Sequence, residues 1–204
     1  MPEPAAADRR VDPLTGAEVR IVAARQGRPN LPASDECPFC VGGVEAPEPY
    51  TVKAFPNRWP PLPDGRCEVV LYTPDHDATF ASLPPGQARA VVDLWADRTS
   101  SLGARPDVAY VLVFENRGPE VGATIPHPHG QIYAYEAVPP VPARELAAPG
   151  CALCTPPDPE LVVARAGDWT ASVPHAADWP YGVVVAPGDH LPDLPGLDDV
   201  RRDD

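Results

Sequence analysis

Apolar and polar residues alternate along several short stretches of this chain, the period-two pattern of half-buried strands. After a turn at residues 11–16, Val19, Ile21 and Ala23 alternate in this way, and further strand candidates cover residues 50–55, 69–72, 110–115 and 131–135. Between residues 72 and 110 the period changes. Ala88, Val91, Val92, Trp95 and Leu102 keep helical spacing, with Ser82 as N-cap, prolines in the first turn and Gly103 as the stop. They predict a helix over residues 84–102. Antiparallel strands with one packed helix make the expected class α+β.

The chain also repeats itself. Cys37, Cys40 and His76 recur as Cys151, Cys154 and His190 at a common offset of 114 (151−37, 154−40, 190−76). The text before each histidine matches as well, residues 69–76 against 183–190. A duplicated unit follows. We expect a first unit at 1–145 and an incomplete second unit at 146–204. The counterpart of His127 would fall at 241, and the charged tail from Asp198 reads as the start of the second unit's helix. Such a partial copy is expected to leave apolar edges exposed.

Composition narrows the function. The apolar content of 44% supports a real core, and the 31 prolines are interleaved with Val, Leu, Trp and Tyr, unlike a low-complexity tract. A formal charge of −13 excludes a general polyanion-binding surface, so neither nucleic acid nor an anionic membrane is an expected partner. No stretch has the length of a membrane span, and the first ten residues lack the apolar core of a signal peptide, so a cytoplasmic protein is expected. Four of the five cysteines form two Cys-x-x-Cys pairs, which in a reducing compartment point to metal before disulfide. Cys67 stands apart, as a small buried hydrophobe would.

Cys37-Pro38-Phe39-Cys40 offers two thiolates to one tetrahedral ion, and His76 and His127 are the candidates to complete the set. Two ordinary buried cysteines are the competing reading. In Gly122-Ala123-Thr124-Ile125-Pro126-His127-Pro128-His129-Gly130-Gln131, an extended backbone would send His127, His129 and Gln131 to one face. Pro128, without a backbone donor, suits an edge or ladder end, and Gly130 would allow close approach by a ligand. The competing reading here is two solvent-exposed histidines in a Pro/Gly loop.

The run Phe114-Glu115-Asn116-Arg117-Gly118, then Gly122, then His127-Pro128-His129-Gly130-Gln131 resembles the signature of the galactose-1-phosphate uridylyltransferases, nucleotidyl-transfer enzymes of the histidine-triad superfamily. Leu14-Thr15-Gly16 with Arg25 and Arg28-Pro29, Cys37-Pro38-Phe39-Cys40, Phe55-Pro56-Asn57, Pro74-Asp75-His76 and Trp179-Pro180 fall in the family's order, so the resemblance runs over nearly the whole chain. It implies a histidine-triad-like antiparallel sheet with a packed helix. It also implies that His129 takes the uridylyl group from UDP-glucose and passes it to galactose 1-phosphate. Cys37, Cys40, His76 and His127 would bind zinc, and Gln131 would donate to phosphoryl oxygens. Asn57, Asn116 and Gly122 match positions lining the uridine diphosphate site, and Arg25 and Arg28 match phosphate-proximal arginines. Thr124 stands where the family commonly has serine, and Ile125 replaces a commoner asparagine. Glu145 matches a carboxylate that binds a second metal in some members. A homodimer is implied by the same resemblance.

Two other readings use the same residues. One is a related nucleotide-sugar phosphorylase or adenylyltransferase, since the motif specifies phosphoryl chemistry more closely than the base. The other is a catalytically inactive zinc- and nucleotide-binding form.

Overall fold

The computed structural model describes residues 8–14, 18–22 and 37–204. Chain contacts divide it into two compact units, one reaching Ala137 and one spanning Val138–Asp204.

The first unit opens with an antiparallel ribbon of β1 (Asp8–Val11) and β2 (Glu18–Ile21). The predicted strand is there, but Val19 and Ile21 are exposed and Ala23 lies outside the described residues. Among the described residues β2 pairs only with β1, so its alternation has no layer to face.

Four strands build the main sheet: β3 (Lys53–Pro56), β4 (Cys67–Leu71), β5 (Tyr110–Phe114) and β6 (His129–Tyr135). They are ordered β3-β4-β6-β5 and are antiparallel throughout. All five residues of β4 are buried because both faces of the sheet are covered. On one face Val70, Tyr72, Ile132 and Ala134 pack with Val91 and Leu102 of α1 (Pro85–Gly103). On the other, Val69 and Leu71 pack with Cys37, Phe39, Ala46 and Ile125. The Arg98 guanidinium fastens α1 to the sheet through two 2.8 Å hydrogen bonds to the carboxylate of Glu68.

The helix starts later than its N-cap residue predicts. Ser82 instead closes a short 3-10 turn, in which the Ser82 amide donates to Thr79 Oγ1 at 3.1 Å and the Thr79 amide to Ser82 Oγ at 2.8 Å. Leu83 and Pro84 each precede a proline and are extended, which delays helical geometry to Pro85. Pro84 is the N-cap and makes no side-chain cap bond.

The second unit carries α2 (Pro140–Leu146), an antiparallel sheet of β7 (Val162–Ala166), β8 (Trp169–Ser172) and β9 (Val184–Pro187), and the short helix α3 (Asp199–Asp203). Arg201 of α3 ties this unit together, reaching the carboxylates of Asp168 and Asp198 at 2.8 and 2.7 Å and that of Asp189. Val163, Val185, Trp179 and Tyr181 are exposed. No described helix is long and apolar enough to cross a membrane.

Candidate functional site

Residues 37–46 fold into a tight knuckle. The Gly43 amide donates to the Cys40 carbonyl at 2.8 Å and the Glu45 amide to the Pro38 carbonyl at 3.0 Å. A side chain at Gly43 would place its Cβ 2.6 Å from the carbonyl oxygens of both Cys37 and Pro38, so only glycine lets the loop close. The knuckle turns both thiols toward His76, just beyond β4, and His127, just before β6.

Ligand atoms of Cys37, Cys40, His76 and His127 all lie within 4.8 Å of one another. Cys40 Sγ is 3.4 Å from His76 Nδ1 and 3.6 Å from His127 Nδ1. A tetrahedral zinc with ordinary bond lengths separates sulfur and nitrogen ligands by about 3.6 Å. The donor set therefore fits a metal ion in both chemistry and spacing. Burial and the adjacent Cys37 push the Cys40 thiol up to about 11. A divalent cation reverses that balance by binding the thiolate, so metal uptake is coupled to proton release.

His127 is fully buried, and its Nε2 lies 2.8 Å from the Thr73 carbonyl oxygen and 3.0 Å from the Tyr50 hydroxyl. The Tyr50 hydroxyl in turn donates to the carbonyl of Phe39, inside the knuckle, at 2.8 Å. With its proton on Nε2 for these acceptors, His127 turns the lone pair of Nδ1 toward the thiols. Burial lowers the pKa of His127, opposed by its bond to Thr73.

His129 begins β6, opposite Leu71. Its Nδ1 donates to the His127 carbonyl at 2.7 Å, which leaves the lone pair on Nε2. Phe39 meets the ring edge-on at a centroid distance of 5.0 Å. Burial holds the imidazole below its ordinary pKa, with the hydrogen bond to the His127 carbonyl acting the other way. A neutral, oriented imidazole is a competent nucleophile.

His129 and Gln131 open into a cleft of about 260 Å³, which Asn57, Asn116, Gly122 and Thr124 also line. Sequence positions from 57 to 131 are thus brought to one cavity. Phe55, Trp59 and Tyr133 add aromatic wall, and Asn57 also holds its own turn, its side-chain oxygen accepting from the Trp59 amide at 2.9 Å. Arg25 and Arg28 lie outside the described residues.

One expectation changes in detail. Gly130 faces away from the cleft: a Cβ there would collide with the buried hydroxyl of Tyr72 on the helix-covered side. Strand alternation puts 129 and 131 on one face and 130 on the other, so this glycine serves core packing, not ligand approach. Pro128 sits at a ladder end, as expected, yet β6 is an interior strand between β4 and β5. Ile125, standing where the family commonly has asparagine, is buried against the core beside Cys37 and Phe39.

Tyr50 and Tyr133 had no signal in the sequence. Tyr50 falls at the start of a predicted strand, and its contact with His127 spans 77 positions. Glu145 is exposed on α2 of the second unit. There, Cys151, Cys154 and His190 also lie within 4.8 Å of one another, with Cys154 Sγ 3.1 Å from His190 Nδ1. This exposed group too is able to hold a metal.

The helix-backed antiparallel sheet is histidine-triad-like, with β6 starting at His129 beside the Cys-x-x-Cys knuckle. Residues 57–139 match the family described as galactose-1-phosphate uridyl transferase, N-terminal domain. The chain is 46% identical to a galactose-1-phosphate uridylyltransferase of Streptomyces lividans, over 95% of this chain and 60% of that protein. It is 37% identical to one from Thermotoga maritima, over 91% and 68%. A solved uridylyltransferase structure superposes with a TM-score of 0.82 at 28% identity, covering 98% of this chain and 71% of that one. The chain belongs to the galactose-1-phosphate uridylyltransferase family, and it spans about 60% of the length of the Streptomyces relative.

Proposed function

We propose that this chain carries the nucleotide-accepting half of a UDP-glucose:hexose-1-phosphate uridylyl transfer, with His129 as the carrier and galactose 1-phosphate as the second substrate. The observation that supports this most directly is the 2.7 Å bond from His129 Nδ1 to the His127 carbonyl, which leaves the lone pair on Nε2 of a ring that lines the cleft.

In the first half-reaction the Nε2 lone pair forms a bond to the α-phosphorus of UDP-glucose. The bond from that phosphorus to the bridging oxygen breaks, and glucose 1-phosphate leaves with the electron pair. The ring becomes cationic, and the Nδ1–H bond to the His127 carbonyl stabilises that charge. In the second half-reaction a phosphate oxygen of galactose 1-phosphate attacks the same phosphorus. The nitrogen–phosphorus bond breaks, releasing UDP-galactose and restoring neutral His129. Gln131 donates to the phosphoryl oxygens as charge accumulates on them, while Asn57, Asn116, Gly122 and Thr124 hold the nucleotide. Arg25 and Arg28 are the proposed phosphate-proximal cations.

Zinc is the ion we propose for Cys37, Cys40, His76 and His127. Four protein ligands leave no open position, so its contribution is to hold the knuckle and the start of β6 in place. A homodimer and a cytoplasmic location complete the proposal.

The test is incubation of the metal-loaded chain with UDP-glucose radiolabelled in the α-phosphate. Acid-labile label on His129 is expected, with release of glucose 1-phosphate; ADP-glucose should label far less. A folded, metal-loaded chain that takes no label, or takes it on another residue, rules the assignment out.

Tyr50 supplies a separate expectation. Replacing an outer partner of a metal-ligating histidine typically costs about 10–100-fold in metal affinity. Tyr50→Phe, which removes the hydroxyl shared by Phe39 and His127, is expected to show a loss in that range in chelator competition. Unchanged affinity would count against the hydroxyl's role.

A further inference from the structure

Strand alternation along β6 puts Tyr133 on the same face as His129 and Gln131, at the wall of the same cleft. Its ring is fixed edge-on against Phe114 of β5, at a centroid distance of 4.8 Å and an interplanar angle of 82°. From there the Tyr133 hydroxyl donates back to Oε1 of Gln131 at 3.1 Å. Phe114 is also the residue directly opposite Gln131 in the β5–β6 pairing. One aromatic pair thus flanks the glutamine side chain and supplies a partner for its carbonyl.

We propose that Tyr133 is a positioning residue that orients the Gln131 amide, so that its N–H2 group faces the phosphoryl oxygens of the nucleotide. The proposal rests on the reading of His129 as the uridylyl carrier. Its reason is a matching of donors and acceptors. Phosphoryl oxygens only accept, so a glutamine that assists them must present Nε2 and turn Oε1 away. The carbonyl then needs a donor of its own, and the Tyr133 hydroxyl is within reach to provide it. A flipped amide would aim a carbonyl oxygen at an anion. Donation to Oε1 also polarises the amide and strengthens the bond its N–H makes to the phosphate. The benefit grows with charge on the phosphoryl oxygens, so it should appear mainly in the rate of the chemical step and little in ground-state binding.

The experiment is a double-mutant cycle on single-turnover uridylylation, using wild type, Tyr133→Phe, Gln131→Ala and the double variant of the full chain. Metal content serves as the check on folding. Phenylalanine keeps the ring against Phe114 and deletes only the hydroxyl. Tyr133→Phe is expected to slow labelling at saturating UDP-glucose by roughly 5–20-fold, the order of one activated hydrogen bond. The half-saturating concentration should stay within about two-fold. In the Gln131→Ala background the same change should alter the rate by less than about two-fold, because the group it orients is gone. Equal losses in both backgrounds, or an effect confined to the half-saturating concentration, would overturn the role of Tyr133 while leaving the carrier histidine standing. A wild type that takes no label overturns both.

Discussion

His129→Ala is expected to abolish uptake of the uridylyl group, slowing transfer by at least about ten-thousand-fold, because the atom that forms the covalent bond is removed. Its metal content should be unchanged. The proposed ligands are Cys37, Cys40, His76 and His127, and the His129 ring is not one of them, although it is tied to their segments through the His127 carbonyl and Phe39. Quantifying labelled protein and bound metal on the same sample checks both halves of this expectation. A variant that still transfers within ten-fold of wild type would exclude His129 as the carrier. A variant that loses its metal would show that the residue supports the knuckle.

Removing the metal should have the second-largest effect, and it should be seen in stability as well as activity. The four candidate ligands come from segments far apart in sequence: Cys40 meets His76 across 36 positions and His127 across 87. An ion shared by them closes two long loops at once, and its binding energy becomes folding energy. Cys37→Ser, or exhaustive chelation, is expected to lower the thermal midpoint by roughly 10 °C or more. Labelling of His129 should fall in parallel, since Phe39 and the His127 carbonyl, which orient its ring, both sit on the segments that carry the candidate ligands. Calorimetry with and without added zinc would measure this. A midpoint insensitive to zinc would mean that the cluster is a set of ordinary buried thiols and imidazoles.

Much of the sheet was legible because its signals are local. The apolar run at 69–72 lies within the core of β4 and Tyr72 just after it, and the alternation at 131–135 is β6 with its start two residues earlier. The helical spacing from Ala88 to Leu102 is α1, whose Val91 and Leu102 enter the core. The cluster of candidate metal ligands was legible for a different reason: thiols and imidazoles are rare enough that one spacing, repeated at a fixed offset, stands out against the background.

Elsewhere the local pattern left more than one outcome open. The Ser82 hydroxyl had two uses open to it, and the prolines that follow directed it to the 3-10 turn. Val19 and Ile21 alternate correctly, but alternation does not say whether a second layer covers the strand. Gly130 looked like room for a ligand, and the side it faces depends on which surface of β6 the helix covers. Tyr50 and Tyr133 carry no motif; each acquires its role from the partner its hydroxyl reaches.

Periodicity and residue chemistry, which act over a few neighbours, were enough to give the main-sheet strands, the helix, the candidate ligands and the shared face of His129 and Gln131. The direction of each imidazole lone pair, the cavity joining Asn57 to Gln131 and the tyrosines that orient its working groups came only with folding. They are set by hydrogen bonds and packing between segments that chain distance alone does not pair.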